Sequence, residues 1–220
     1  MGGRETGTMA TLLPGHRDPA SEVDRAEVAK FWNVASLPER PGKTAVEMFD
    51  ALATGEIKAV WIACTNPAQS LPDQAKVRTA LAKAEFVVVQ EAYADTETAA
   101  YADLLLPAAT WGEKEGTTTN SERRISRARA AVPPPGDACP DWQIARDFAL
   151  RLGAKVSFGD TPHQFGWAGP ADIFAEHAAL TAGRDLDMSG LDYALLERDG
   201  PQQWPYPQGA TAGRTRLYED

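Results

Sequence analysis

Apolar residues recur along this chain with two periods, one helical and one strand-like, and the two alternate from Thr44 onward. In "TAVEMFDALATG", Thr44 and Glu47 have capping-box spacing, and Val46, Phe49 and Ala53 share a face with Met48 and Leu52 beside it. Gly55 stops the predicted helix. The run "IKAVWIAC" over 57–64 reads as a buried strand. "DQAKVRTALAKA" (73–84) predicts a second amphipathic helix with Val77, Leu81 and Ala84 inward. "FVVVQ" (86–90) is a short β-branched run of the kind buried on both faces of a parallel sheet. "DTETAAYA" predicts about two helical turns, and "DLLLP" (103–107) a third buried strand. This alternation with short connections predicts an α/β domain, doubly wound around a mostly parallel sheet.

The flanks carry less pattern. Residues 1–43 are rich in Gly, Pro and charge, with one short helix expected around 22–32 and no independent core. The stretch 108–140 reads as loop, ending in "VPPPGDACP". "DWQIARDFALRLG" then predicts a helix with Trp142, Ala145, Ala149 and Leu152 on one face and Gly153 as its C-cap. Beyond 155, Gly and Pro are dense, one helix is expected near 171–182, and Trp167 and Trp204 are candidate anchors. The predicted organisation is therefore an irregular arm over 1–43, an α/β domain over 44–155 and a Pro/Gly-rich arm over 156–220. The arms hold little apolar periodicity, so exposed apolar patches are expected there.

Composition narrows the partners. A formal net charge of -9 argues against nucleic acid and anionic membrane, both of which need a basic surface. The one basic cluster, "ERRISRAR" (122–129), reads as a solvated face. Two cysteines make neither a disulfide framework nor a metal site: Cys64 reads as a small buried hydrophobe and Cys139 as a loop thiol. The three histidines lack metal-ligand spacing. Without a leader or a long apolar run, the expected location is cytoplasmic.

Candidate chemistry gathers at the predicted strand ends, where open α/β sheets bind ligands. The first strand ends in Thr65-Asn66-Pro67 with Gln69 beyond; the second ends in Gln90-Glu91; after the third comes "PAATWGEKEGTTTNSERR" with Lys114. Asn66 offers a donor and an acceptor for a phosphate or base, or it merely initiates a turn before proline. Glu91 stands where dinucleotide folds place a ribose-binding carboxylate, or it is a solvated loop acid. Lys114 suits a phosphate, or it pairs with Glu113 or Glu115. Asp141 is preferred as an N-cap, although its carboxylate could equally accept from a guanine edge. Neither a Gly-x-Gly-x-x-Gly fingerprint nor a P-loop occurs, and no nucleophile elbow or triad order is found. The residues alone describe a nucleotide-binding domain without a reactive centre.

These motifs also carry a resemblance. "CTNPAQSLPD", "ETAAYADLLLPAATWGEKEGTTTNSERR" and "PDWQIARDFALRLG" resemble the third domain of molybdopterin-dependent oxidoreductases of the dimethyl sulfoxide reductase superfamily. "MGGRETGTMATLLPGHRD" and "GPQQWPYPQGATAGRTRLYED" more narrowly resemble the catalytic subunits of bacterial assimilatory nitrate reductases. The resemblance implies a molybdenum bis(molybdopterin guanine dinucleotide) cofactor, one guanine dinucleotide half of which lies on this domain. Its contacts carry over to Asn66, Gln90, Glu91, Lys114 and Asp141, so Asp141 is raised from cap to guanine partner. Asn66→Ala should then weaken cofactor retention while leaving the fold intact.

The family's cysteine motif for a four-iron–four-sulfur cluster is absent here, as are its molybdenum-ligating cysteine and its carboxy-terminal domain. The expectation is an internal segment of a larger enzyme, with Met1 an internal methionine. In the parent enzyme nitrate would be reduced to nitrite, with the remaining domains and an electron donor protein or domain as partners. No residue of this chain is assigned as catalytic or metal-ligating. A formate dehydrogenase-like segment and a free-standing nucleotide-binding or assembly module are the alternatives.

Overall fold

A computed structural model describes residues 2–7, 9, 11–153 and 165–216. The chain divides into two compact units: one contains 43–114 and 131–147, the other the described residues of 1–42, 115–130 and 148–220. These boundaries differ from the three consecutive segments expected from the sequence, because each unit closes around residues far apart in the chain.

The first unit is the expected parallel α/β sheet. Strands β1 (Ala59–Ala63), β2 (Phe86–Glu91) and β3 (Leu104–Pro107) pair in parallel in the order β1-β2-β3. The helix Ala45–Thr54 opens on the capping box: the Thr44 side chain accepts from the Glu47 amide, and the Thr44 amide donates to the Glu47 carboxylate at 2.8 Å. Gly55 ends it at φ 81°, a left-handed conformation that favours glycine. Its buried face is centred on Phe49, Ala51 and Leu52, while Val46 is exposed, so the inward stripe is shifted from the one expected. The helix Gln74–Lys83, capped by Asp73, turns Val77, Ala80 and Leu81 inward. Both helices pack on the strand face that carries Val60, Ile62, Val87 and Val89.

Burial on both strand faces is confined to the end of β2, where Gln90 is buried on the face opposite Val87 and Val89. β1 alternates strictly, with Val60 and Ile62 buried and Trp61 exposed, and Phe86 and Leu104 are also exposed. Within this unit the helices cover one face, so an apolar run that reads as doubly buried is buried on one side. The "DTETAAYA" segment forms only a short 3-10 turn, Ala99–Tyr101. Its threonines bind backbone instead: Thr96 Oγ1 accepts from the Ala99 amide and Thr98 Oγ1 from the Ala68 amide, which competes with helix formation.

The second unit overturns the expectation of coreless arms. The "loop" 108–140 contains an antiparallel pair, β4 (Gly116–Thr119) with β5 (Arg124–Ala128), and β6 (Gln202–Gln203) adds to β5. Ile125 of β5 is buried with Phe174, Leu186, Met188, Trp204 and Tyr206 in a second apolar core. The centre of "ERRISRAR", Arg124–Ala128, is thus a strand with Ile125 buried, while Glu122 and Arg129 at its ends are exposed. The Arg123 guanidinium lies 4.9 Å from the centre of the Trp204 ring, and that of Arg127 3.8 Å from Tyr193, while Arg127 also pairs with Glu115 at 3.1 Å. The helix Glu22–Trp32 is capped by Ser21, and Pro170–Leu180 matches the late helix expected. Trp204 is fully buried, whereas Trp167 is half-buried and donates to Glu176 at 2.6 Å. The helix Asp141–Gly153 forms, but none of its side chains is buried, so its expected inward face is not realised. Among the described residues no helix is long and apolar enough to cross a membrane.

Candidate functional site

The carboxyl ends of β1, β2 and β3 lie on one edge of the first unit, as a parallel sheet requires. A further segment is added there by backbone bonds. The Cys139 amide donates to the Pro107 carbonyl at 3.1 Å, and the Ala109 amide donates to the Cys139 carbonyl at 2.9 Å. This pairing continues β3 and delivers Asp141, two residues on, to the strand ends. Cys139 therefore works through its backbone, which a reading as a loop thiol misses.

Asp141 is the first residue of its helix, not the residue before it. Its carboxylate turns to the strand ends instead of capping: Oδ1 accepts from Gln90 Nε2 at 2.8 Å and from Cys64 Sγ at 3.0 Å, and Oδ2 accepts from Lys114 Nζ. Gln90, at the end of β2, is only 4% exposed, so its carboxamide is held in place. Lys114 follows a tight turn, Trp111–Glu113, closed by its own capping box; the Thr110 amide donates to Glu113 at 2.7 Å. Glu113 is thereby occupied and Glu115 pairs with Arg127, so Lys114 pairs with neither neighbour. Trp111, on the same turn, is 74% exposed, with Lys114 Nζ 5.6 Å from its ring centre.

The charges tune one another. Burial alone would raise the Asp141 carboxyl, but the hydrogen bonds from Lys114, Cys64 and Gln90 outweigh it and hold it below the usual carboxylate range. The Cys64 thiol is pushed up to about 11, chiefly by partial desolvation of its sulfur and then by its hydrogen bond to the Asp141 carboxylate. It is a neutral donor at neutral pH and a poor nucleophile. Cys64 is exposed, at a left-handed φ of 56°, in contrast to the buried hydrophobe read from the sequence. The polarity of its neighbours, which come from three distant segments, decides its role.

Asn66 has a different setting. Its Oδ1 accepts from the Thr98 amide at 3.1 Å and the Thr98 hydroxyl at 2.6 Å, and its Nδ2 donates to Glu97 at 2.7 Å and Gln69 at 3.3 Å. Both ends of the carboxamide are used within the chain, and they latch the β1 loop to the β2–β3 connection. Glu91, half-buried, accepts from its neighbour's amide, Ala92, at 2.7 Å. Gln90, Lys114 and Asp141 are thus brought together, Glu91 stands beside them, and Asn66 belongs to a network with Thr98 and Glu97. Cys64, Trp111, Glu97 and Thr98 were not singled out for these roles from the sequence. Strand-end position was the available signal for the first two.

The site offers an ionised carboxylate with partly occupied oxygens, a cation and an exposed indole. Among the described residues no cluster of His, Cys, Asp or Glu could hold a metal ion.

Comparison with known proteins adds a family. The family described as molybdopterin oxidoreductase matches residues 2–151, which include every residue of this site. The chain is 42% identical to a nitrate reductase of Synechocystis over 226 residues, covering all of this chain and 31% of that protein. It is 39% identical to the assimilatory nitrate reductase catalytic subunit of Bacillus subtilis, covering all of this chain and 30% of that one. The chain therefore spans less than a third of either relative. The solved acetylene hydratase of Pelobacter acetylenicus shares the fold over 68% of this chain and 19% of its own, at TM-score 0.54 and 22% identity.

Proposed function

Because the chain belongs to the molybdopterin oxidoreductase family, we propose that its β1–β3 unit holds one guanine dinucleotide half of a bis(molybdopterin guanine dinucleotide) cofactor within a nitrate-reducing enzyme. The observation that carries this reading is the convergence of Gln90, Lys114 and Asp141 at the carboxyl ends of a parallel sheet.

The residues fit that group by their chemistry. A guanine edge presents two N–H donors, and an ionised carboxylate is acceptor-only, so Asp141 matches the base. Lys114 is a compact cation that keeps this carboxylate ionised beside the base, and Glu91 could accept from ribose hydroxyls. Gln90 holds the carboxylate in register, and Asn66 keeps the β1 loop in the shape that leaves the site open. Asp141, Lys114 and Glu91 would hold the nucleotide end of that cofactor, whose molybdenum would supply oxygen-atom transfer from nitrate to give nitrite, with a four-iron–four-sulfur cluster of the parent enzyme as the source of electrons. This chain's own part is binding and orientation. The remaining domains of the parent enzyme and an electron donor complete it, in the cytoplasm on this reading.

Titration of the purified chain with GDP and ADP by calorimetry tests the proposal. GDP should bind more tightly than ADP by about tenfold or more, as one additional hydrogen bond to a charged group requires, and Asp141→Asn should erase the difference. Equal binding of both nucleotides, or binding of neither, would overturn it.

A further inference from the structure

The Asp141 carboxylate is nearly filled by donors of its own chain. Two oxygens offer about four lone-pair positions. Three are taken: Cys64 Sγ and Gln90 Nε2 share Oδ1, and Lys114 Nζ takes Oδ2. A guanine edge brings two donors to the one position that remains. One internal donor has to withdraw.

The three donors are unequal. Lys114 makes a charge-assisted bond, the strongest kind available here. Gln90 is buried at the end of β2, and its amide would lose its acceptor without gaining water. The Cys64 thiol is a weak donor on an exposed residue, so its release into solvent costs least. Resting on the reading above, we propose that Cys64 is a placeholder donor. It satisfies and positions the Asp141 carboxylate, yields its place on Oδ1 to guanine, and so sets how tightly the base is held. Cys64 is here a positioning residue, acting through Asp141.

The placeholder role makes a prediction of opposite signs. Cys64→Ser installs a stronger donor that competes with guanine, and Cys64→Ala removes the competitor. Both keep a Cβ at the same left-handed position, so backbone strain is matched. GDP affinity should rise several-fold in Cys64→Ala and fall several-fold in Cys64→Ser. ADP affinity should not move, since a single exocyclic amino donor fits the free position. A merely structural role would weaken both variants towards both nucleotides.

The experiment is calorimetric titration of the full chain and its Cys64→Ala, Cys64→Ser and Asp141→Asn variants with GDP and ADP, after matched circular dichroism melts. GDP affinity in the order Ala, Cys, Ser with flat ADP affinity supports the inference. A flat series, the reverse order, or parallel losses for both nucleotides overturns it, provided Asp141→Asn still erases GDP preference. If Asp141→Asn has no effect, or the wild type binds neither nucleotide, the underlying reading fails and takes this one with it. Should Cys64→Ala not fold, Cys64→Ser against the wild type carries the same sign test.

Discussion

Truncation of Asn66 measures whether this residue latches the fold. In Asn66→Ala the Thr98 amide and hydroxyl lose their shared acceptor, at 3.1 and 2.6 Å, on a residue that is fully buried. A buried amide left unpaired costs about 1–3 kcal/mol, and one lost hydroxyl bond about 0.5–1.5 kcal/mol more. The bond to the exposed Glu97 adds little. The sum is about 1.5–4.5 kcal/mol, which corresponds to roughly 10- to 2000-fold faster exchange of the Thr98 amide if that latch controls local opening. Native-state hydrogen exchange read by NMR, beside urea unfolding followed by circular dichroism, makes the measurement. Exchange is the decisive arm, because two compact units need not unfold in one step. Asn66→Asp is the control: it retains an acceptor for Thr98 and should keep that amide protected better than alanine does. An Asn66→Ala protein within about 0.5 kcal/mol of wild type, with unchanged Thr98 exchange, refutes the latch. If the latch holds, Asn66→Ala is not the clean probe of cofactor contact expected from the sequence, since losing the loop would also lose the ligand.

Trp204→Ala should destabilise the second unit by about 3–5 kcal/mol in a denaturant melt, as the loss of a large, fully buried side chain does; an effect under about 1 kcal/mol would deny that unit its core. His177 is half-buried with its Nε2 3.0 Å from the Thr6 carbonyl, and its desolvation lowers its pKa. A histidine whose folded pKa lies below its unfolded one contributes stability above the unfolded value and loses it as pH falls through the folded one. The melting temperature should therefore fall on acidification below the ordinary histidine range more steeply in wild type than in His177→Gln; parallel pH profiles would refute the assignment.

Much of the first unit was legible because its information is local. The Thr44 capping box, the Gly55 stop, the Val77–Leu81 stripe and the three apolar runs each lie within one element, and period and cap chemistry are properties of one element. Strand-end logic likewise located Gln90 and Lys114, since a parallel sheet brings its carboxyl ends to one edge. Tertiary structure alone decided the rest. Whether an apolar strand is covered on one face or two depends on where helices from elsewhere settle, so Trp61 and Phe86 are exposed. Ile125, Phe174 and Trp204 form a core without any period, because they come from three separate segments. Asp141 reads as a helix cap from its neighbours in sequence; only the Cys139–Ala109 pairing carries it to the strand ends, where Cys64, Gln90 and Lys114 claim its carboxylate. A side chain's partner is set by distance in space, and sequence records that distance only for residues within a few turns of each other.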